Sequence, residues 1–144
     1  MPIILPATLA TAAACALLNI WLSVRVGQVR GSEKVSVGDG GNLKVIARMR
    51  AHANFVENAP FVLILLALIE LAKGTQPWLW AYAAVFVLAR IAHGLGMDTW
   101  RPGRMIGTLL TMILLLILAV EGGLAAYGAA NPPAGIAIET VPAA

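Results

Sequence analysis

Charge is what this sequence has least of. Only 12% of its 144 residues are Asp, Glu, Lys or Arg, against about 25% in an average water-soluble domain. A chain that is 60% hydrophobic with a mean hydropathy of +0.84 cannot hide its apolar side chains in one small core. It reads as a membrane protein. Cysteine is nearly absent too. The lone Cys15 lies in an apolar stretch, which excludes a disulfide framework or a Cys-rich metal site. Two histidines are too few for a multi-haem cytochrome. No GxGxxG occurs, and the glycine-rich "VGDGG" (37–41) lacks the Lys-Ser/Thr that a phosphate-binding loop needs. There is no internal repeat and no second domain, and no nucleic-acid partner is expected.

Long apolar runs are what the chain has instead. A bilayer core of about 30 Å takes roughly 20 helical residues. Four windows qualify: Ile3–Val24, Ala51–Ala72, Trp78–Met97 and Met105–Tyr127. Period-2 alternation is missing and the runs are too long for barrel strands, so the fold class expected is an all-α bundle of four transmembrane helices. The first run lacks the basic front of a cleavable signal peptide and is read as a retained helix. Residues 1–127 form the expected transmembrane domain. The remainder, 128–144, is rich in Ala, Pro and Gly and reads as a loosely ordered tail.

Polar residues fall in the connections, and unevenly. Arg25, Arg30, Lys34, Lys44, Arg48 and Arg50 belong to the first connection or its edges, Arg101 and Arg104 to the third. The second connection offers only Lys73, and the termini offer no basic side chain. The positive-inside rule then puts both basic connections in the cytoplasm and both termini outside it.

The second run opens with "RMRAHANFVENAP" (48–60), an unusual concentration of polarity. At 100° per residue, Arg50, Asn54 and Glu57 share one helix face, whereas Arg48 and His52 point to the opposite side and Asn58 lies between. Glu57 sits about 10 Å along the axis from Arg50, below the headgroups, where an unpaired charge costs several kcal/mol. It should therefore pair with Arg90 or Arg50, or line a wet pocket. The third run brings Arg90, His93 and Met97 to one face, and Arg104 opens the fourth.

Several of these groups also have plain structural readings. Arg48 and Arg101 suit snorkelling to lipid phosphates, and Asn54 suits an interhelical hydrogen bond. Glu70 and Lys73 read as a solvated i, i+3 pair, and Glu121 as interfacial. A metal site on His52, His93 and Glu57 is disfavoured because His52 faces away from Glu57. Together, however, a Glu, an Asn and several Arg at one depth suit a polar, zwitterionic ligand.

"RAHANFVENAPF" (50–61) resembles the signature of the MAPEG superfamily, the membrane-associated proteins in eicosanoid and glutathione metabolism. The shared residues are Arg50, Ala51, His52, Asn54, Glu57 and Pro60, with "ARIAH" (89–93) in the third helix and Arg104 opening the fourth. The glycine-rich turn before the motif is most similar to the small bacterial branch, and Asn58 to the glutathione transferase branch.

The resemblance implies a homotrimer in a bacterial inner membrane, with glutathione as co-substrate held between subunits near the cytoplasmic face and no metal. It implies glutathione contacts at Arg50, His52, Asn54, Glu57, Asn58, Arg90 and His93. A further cation would come from Arg25 or Arg30, with Arg30 the candidate, and Arg104 would be the catalytic cation beside the sulfur. The second substrate would be a hydrophobic small molecule or lipid, either an electrophile or a hydroperoxide. His93 and Met97 stand where members with synthase activity carry tyrosines. A non-catalytic ligand-binding protein on the same scaffold is the alternative. A transporter is disfavoured because the polar groups gather at one interface and not at the midplane.

Overall fold

The computed structural model describes residues 4–131, and all regular structure among them is α-helical. Helix α1 spans Pro6–Ser32, α2 Leu43–Lys73, α3 Pro77–Gly96 and α4 Arg101–Ala130. All four are long and apolar enough to cross a membrane. Proline stands in the first turn of α1, α3 and α4, where its missing N–H costs nothing and its fixed φ is already helical. At the start of α2 the Asn42 side chain accepts from the N–H groups of Lys44 and Val45.

Two helices outrun the expected spans at the basic end. Helix α1 continues eight residues past Val24, and α2 begins eight residues before Ala51. At 1.5 Å per residue, the 27 residues of α1 and 31 of α2 make rods of about 40 and 46 Å, longer than the hydrocarbon core. Most of the expected polar connection is therefore helix. The reason is packing: Arg25 and Val29 on one extension and Val45 on the other are buried. The remaining turn uses "VGDGG", where Gly38, Gly40 and Gly41 all have positive φ. Helix α4 runs to Ala130, three residues past the expected domain boundary. The rest of the expected tail, 132–144, lies outside the described residues.

Helix α1 packs on α2 and α3, α4 packs on the same two, and α1 and α4 stand diagonally apart. Cys15, Leu18, Phe55, Val62, Leu66, Phe86 and Leu118 fill the centre. The opposite faces carry exposed Leu9, Leu17, Ile64, Leu68, Leu109 and Leu116. Apolar bands of that extent suit acyl chains and not water. The α3–α4 contact is the tightest: a Cβ on Gly107 would sit 2.4 Å from the carbonyl oxygen of Ala89, and one on Gly96 would sit 2.1 Å from the backbone nitrogen of Arg104. Only glycine lets these backbones touch.

The end away from the arginines corrects one expectation. Glu70 is not a solvated partner of Lys73; it is buried. Its carboxylate accepts from the N–H groups of Ala7 (3.0 Å) and Thr8 (2.9 Å) and from the hydroxyl of Thr75 (2.8 Å). A carboxylate is favourable at a helix N-terminus, where unsatisfied N–H groups and the helix dipole both point at it. Lys73 pairs with Glu121 on α4 instead, at 2.6 Å.

Candidate functional site

The basic end carries two groups of polar side chains on opposite flanks of α2. On the flank towards α3, Asn54 accepts a hydrogen bond from Arg90 Nη1 at 2.9 Å. Asn58 donates to the Asn54 carbonyl at 2.7 Å, the usual i−4 closure of a helical Asn. Arg90 is only 2% exposed. Its Nε and Nη2 are buried and have no hydrogen-bond partner among the described residues. A guanidinium in that state is held in place yet two-thirds unused.

Neither of the expected Glu57 pairs forms: among the described residues no salt bridge joins Glu57 to Arg90 or to Arg50. Glu57 lies 60° around α2 from Asn54, and the rotation of α2 turns Asn54 towards Arg90 and leaves Glu57 exposed. Glu57 and Arg50 are both exposed on the outer edge of this flank. Buried His93 stands one turn along α3 from Arg90, with its Cβ packed where Gly107 leaves room. Exposed Arg104 sits in the first turn of α4. His93 and Arg104 border an apolar groove of about 600 Å³ that continues along α4 past Met105, Leu109 and Met112. Met97 does not follow His93. It lies beyond the end of α3 and lines a separate cleft against α1 and α2.

The other flank of α2 faces α1. There His52 Nε2 meets Asn19 Oδ1 at 2.8 Å. Arg30 shares Asn19's face of α1, eleven residues on. It donates to the Ser36 carbonyl (3.3 Å) and to Met49 Sδ (3.5 Å), and its buried Nε has no partner among the described residues. The structure thus joins Asn54 of α2 to Arg90 of α3, with Arg50, Glu57 and Asn58 on the same flank of α2 and His93 and Arg104 on the α4 groove; His52 lies on the opposite flank of α2, and Arg30 lies on α1.

A third cluster was not foreseen. Asp98, in the turn between α3 and α4, accepts from Arg25 Nη2 on α1 and from Arg48 Nε (3.1 Å) and Nη2 (3.2 Å) on α2. Arg48 is therefore tied down by a carboxylate on the neighbouring turn. Arg25 is buried, donates also to the Gly94 carbonyl at 2.8 Å, and lies 4.7 Å from the centre of the Trp21 ring. Arg101, expected to snorkel, is exposed. Nothing in the linear pattern pointed to Asp98, since its partners lie 50 and 73 residues away.

Burial raises the affinity of Asp98 for its proton. The hydrogen bonds from Arg48 and Arg25 and their charges outweigh it and hold the carboxyl below its usual range. A group depressed in this way stabilises the fold fully above its unfolded pKa of about 3.9, and the contribution is lost as pH falls through the lower folded value. The melting temperature of the wild type should therefore drop more steeply below about pH 4 than that of Asp98→Asn. Parallel acid melts in detergent check this, and equal slopes would discount the cluster.

Chemically, the first flank combines one buried, under-bonded guanidinium with exposed charged groups and an apolar groove. It has a planar guanidinium fork with free N–H groups, a carboxylate and a second arginine beside it, and a cation at the mouth of an apolar groove. The family pattern named MAPEG family matches residues 8–124, and the chain belongs to the MAPEG family. Its relatives include the protein named "Inner membrane protein YecN" of Escherichia coli strain K12, 29% identical over 107 residues, which cover 71% of this chain and 81% of that one. The protein of the same name from Escherichia coli O6:H1 matches to the same extent.

Proposed function

We propose that this protein is a glutathione transferase or peroxidase of the MAPEG type in a bacterial inner membrane. In this reading the basic end faces the cytoplasm and both termini lie outside it. The observation that carries the reading is Arg90, buried with two of its three guanidinium nitrogens, Nε and Nη2, unpartnered among the described residues. Such an arrangement is costly unless a ligand completes it. A tripeptide with two carboxylates and an ammonium group matches what is offered: arginine forks at Arg90 and Arg50 for carboxylates, and Glu57 for the α-amino group, with Asn54 and Asn58 ordering the wall.

The two flanks of α2 explain why one chain leaves the site open. Arg30 and His52 lie on the flank away from Arg90 within a subunit, and in a head-to-tail arrangement they would face the Arg50 and Glu57 flank of a neighbour. Head-to-tail contacts close into a ring when the rotation between copies closes, and a ring of three is what the family resemblance implies. Glutathione would lie between neighbouring subunits, with Arg104 and His93 at its sulfur.

A free thiol of this type has a pKa of about 8.5, so only a few per cent is ionised at neutral pH. Arg104 cannot give up its proton and favours the thiolate electrostatically. The sulfur then forms a C–S bond to an electrophile arriving along the α4 groove, expelling a leaving group. With a hydroperoxide it breaks the O–O bond to give an alcohol and a sulfenic acid, which a second glutathione takes to the disulfide and water. Binding without turnover is the second reading. Met97 favours it, since it stands where a hydroxyl donor would be expected and turns into another cleft.

The test is calorimetric titration of glutathione into the detergent-purified protein beside Arg50→Ala. Loss of a charged hydrogen-bond partner should weaken binding by about tenfold or more. The absence of saturable heat with folded wild type would overturn the glutathione reading. Saturable heat without a thiolate absorbance band would favour binding without turnover.

A further inference from the structure

We infer that Asp98 is the positioning residue for Arg104, acting through a clamp that fixes the α3–α4 turn against α1 and α2. This rests on the reading of Arg104 as the thiol-activating cation. Among the described residues Arg104 has no side-chain partner of its own, so its place depends on where the first turn of α4 begins. Two observations fix that start. Asp98, three residues before Arg101, is gripped by Arg25 and Arg48, and those two arginines are locked to each other through the Arg48–Arg25 carbonyl bond at 3.0 Å. Arg25 also holds the Gly94 carbonyl, so the last turn of α3 is anchored by the same side chain. The anchored segment then meets α4 directly, because Gly96 lies against the backbone of Gly103 and Arg104 with no room for a Cβ. Movement of the turn must therefore move Arg104.

The clamp also joins the two halves of the site. Arg25 and Arg48 belong to the helices that carry Arg30 and His52, and Asp98 belongs to the turn that leads into Arg104. A shift of α1 and α2 against a neighbouring subunit is thereby transmitted to the cation beside the sulfur. Asp98 touches no reacting atom in this scheme, so its loss should alter thiol ionisation and leave the carboxylate contacts at Arg50 and Arg90 in place.

The experiment uses full-length Asp98→Asn, with Asp98→Glu as the conservative variant. The ionisation of bound glutathione is followed by thiolate absorbance against pH, affinity by calorimetry, and backbone amide exchange over residues 99–107. In Asp98→Asn the thiol should ionise at higher pH than in wild type. Conjugation of a hydrophobic electrophile should slow about 10- to 100-fold, the cost of a small misplacement, while affinity stays within about threefold. Exchange at 99–107 should accelerate, and Asp98→Glu should recover part of each effect. Wild-type ionisation and wild-type exchange in Asp98→Asn would overturn the proposal. If wild type itself ionises no thiol, the functional reading fails, and the exchange data alone decide whether the clamp sets the start of α4. Arg48→Gln, which keeps the Arg25–Asp98 pair, carries the same measurements if Asp98→Asn does not fold.

Discussion

Arg90→Met should make the purified protein more stable and glutathione binding at least about 100-fold weaker. The two signs have one cause. Arg90 is a buried cation with a single hydrogen bond to Asn54 and no carboxylate in salt-bridge range among the described residues. Replacing buried ion pairs by apolar side chains of similar volume is commonly neutral or stabilising by about 1–4 kcal/mol, and Arg90 lacks even the carboxylate that would offset its desolvation. The lost bond leaves Asn54 Oδ1 without a donor, which costs about 1–3 kcal/mol. Asn54 is only half-buried, so that cost lies at its low end and a net gain of about 0–3 kcal/mol is expected. Binding moves the other way. Two charge-assisted hydrogen bonds of about 1.5–3 kcal/mol each disappear, together worth a factor of about 100 to 10,000.

Thermal melts in detergent and calorimetry on the same preparations measure both quantities. A variant that is less stable and binds normally would make Arg90 an ordinary structural residue. Retention of a destabilising group at a ligand site is a familiar stability–activity trade-off.

Glu70→Leu should lower stability by about 2–4 kcal/mol and leave glutathione affinity unchanged. The carboxylate satisfies two backbone N–H groups in the first turn of α1 and the Thr75 hydroxyl, all in a site where Glu70 itself is 2% exposed. Leucine offers no acceptor, and each orphaned buried donor costs about 1–3 kcal/mol. Glu70→Gln keeps one acceptor oxygen and should fall between the two. Glu70 lies twenty residues along α2 from Arg50, about 30 Å away, so binding at the basic end should not respond. Equal melting of wild type and Glu70→Leu would show that water replaces the carboxylate and that α1 needs no such cap.

Residue spacing along one helix and the rotation of helices against each other account for different parts of this arrangement. Arg50, Asn54 and Glu57 share a flank as the 100° period requires, since relative angle along one helix depends only on residue spacing. The same arithmetic put His52 on the opposite flank. It could not tell that Asn54, and not Glu57, would take Arg90, because that depends on how α2 and α3 are rotated about their axes. Glu70 was misread for a related reason. Lys73 is its near neighbour in sequence, yet its hydrogen-bond partners on α1 lie 62 and 63 residues away. The polar stretch after Val24 looked like a loop because hydropathy reports what lipid would accept. Helix formation there follows from side-by-side packing of α1 on α2, which a hydropathy window does not see.

Four apolar segments of membrane-spanning length, the accumulation of arginine at one end and the face shared by Arg50, Asn54 and Glu57 were properties of the sequence by itself. Each follows from local quantities: transfer free energy summed over about 20 residues, and a fixed angle per residue. The unused donors of Arg90, the Asp98 clamp and the Glu70 cap were decided only by the tertiary structure. They depend on which helices become neighbours and how each is turned about its axis, which quantities local to one helix do not fix.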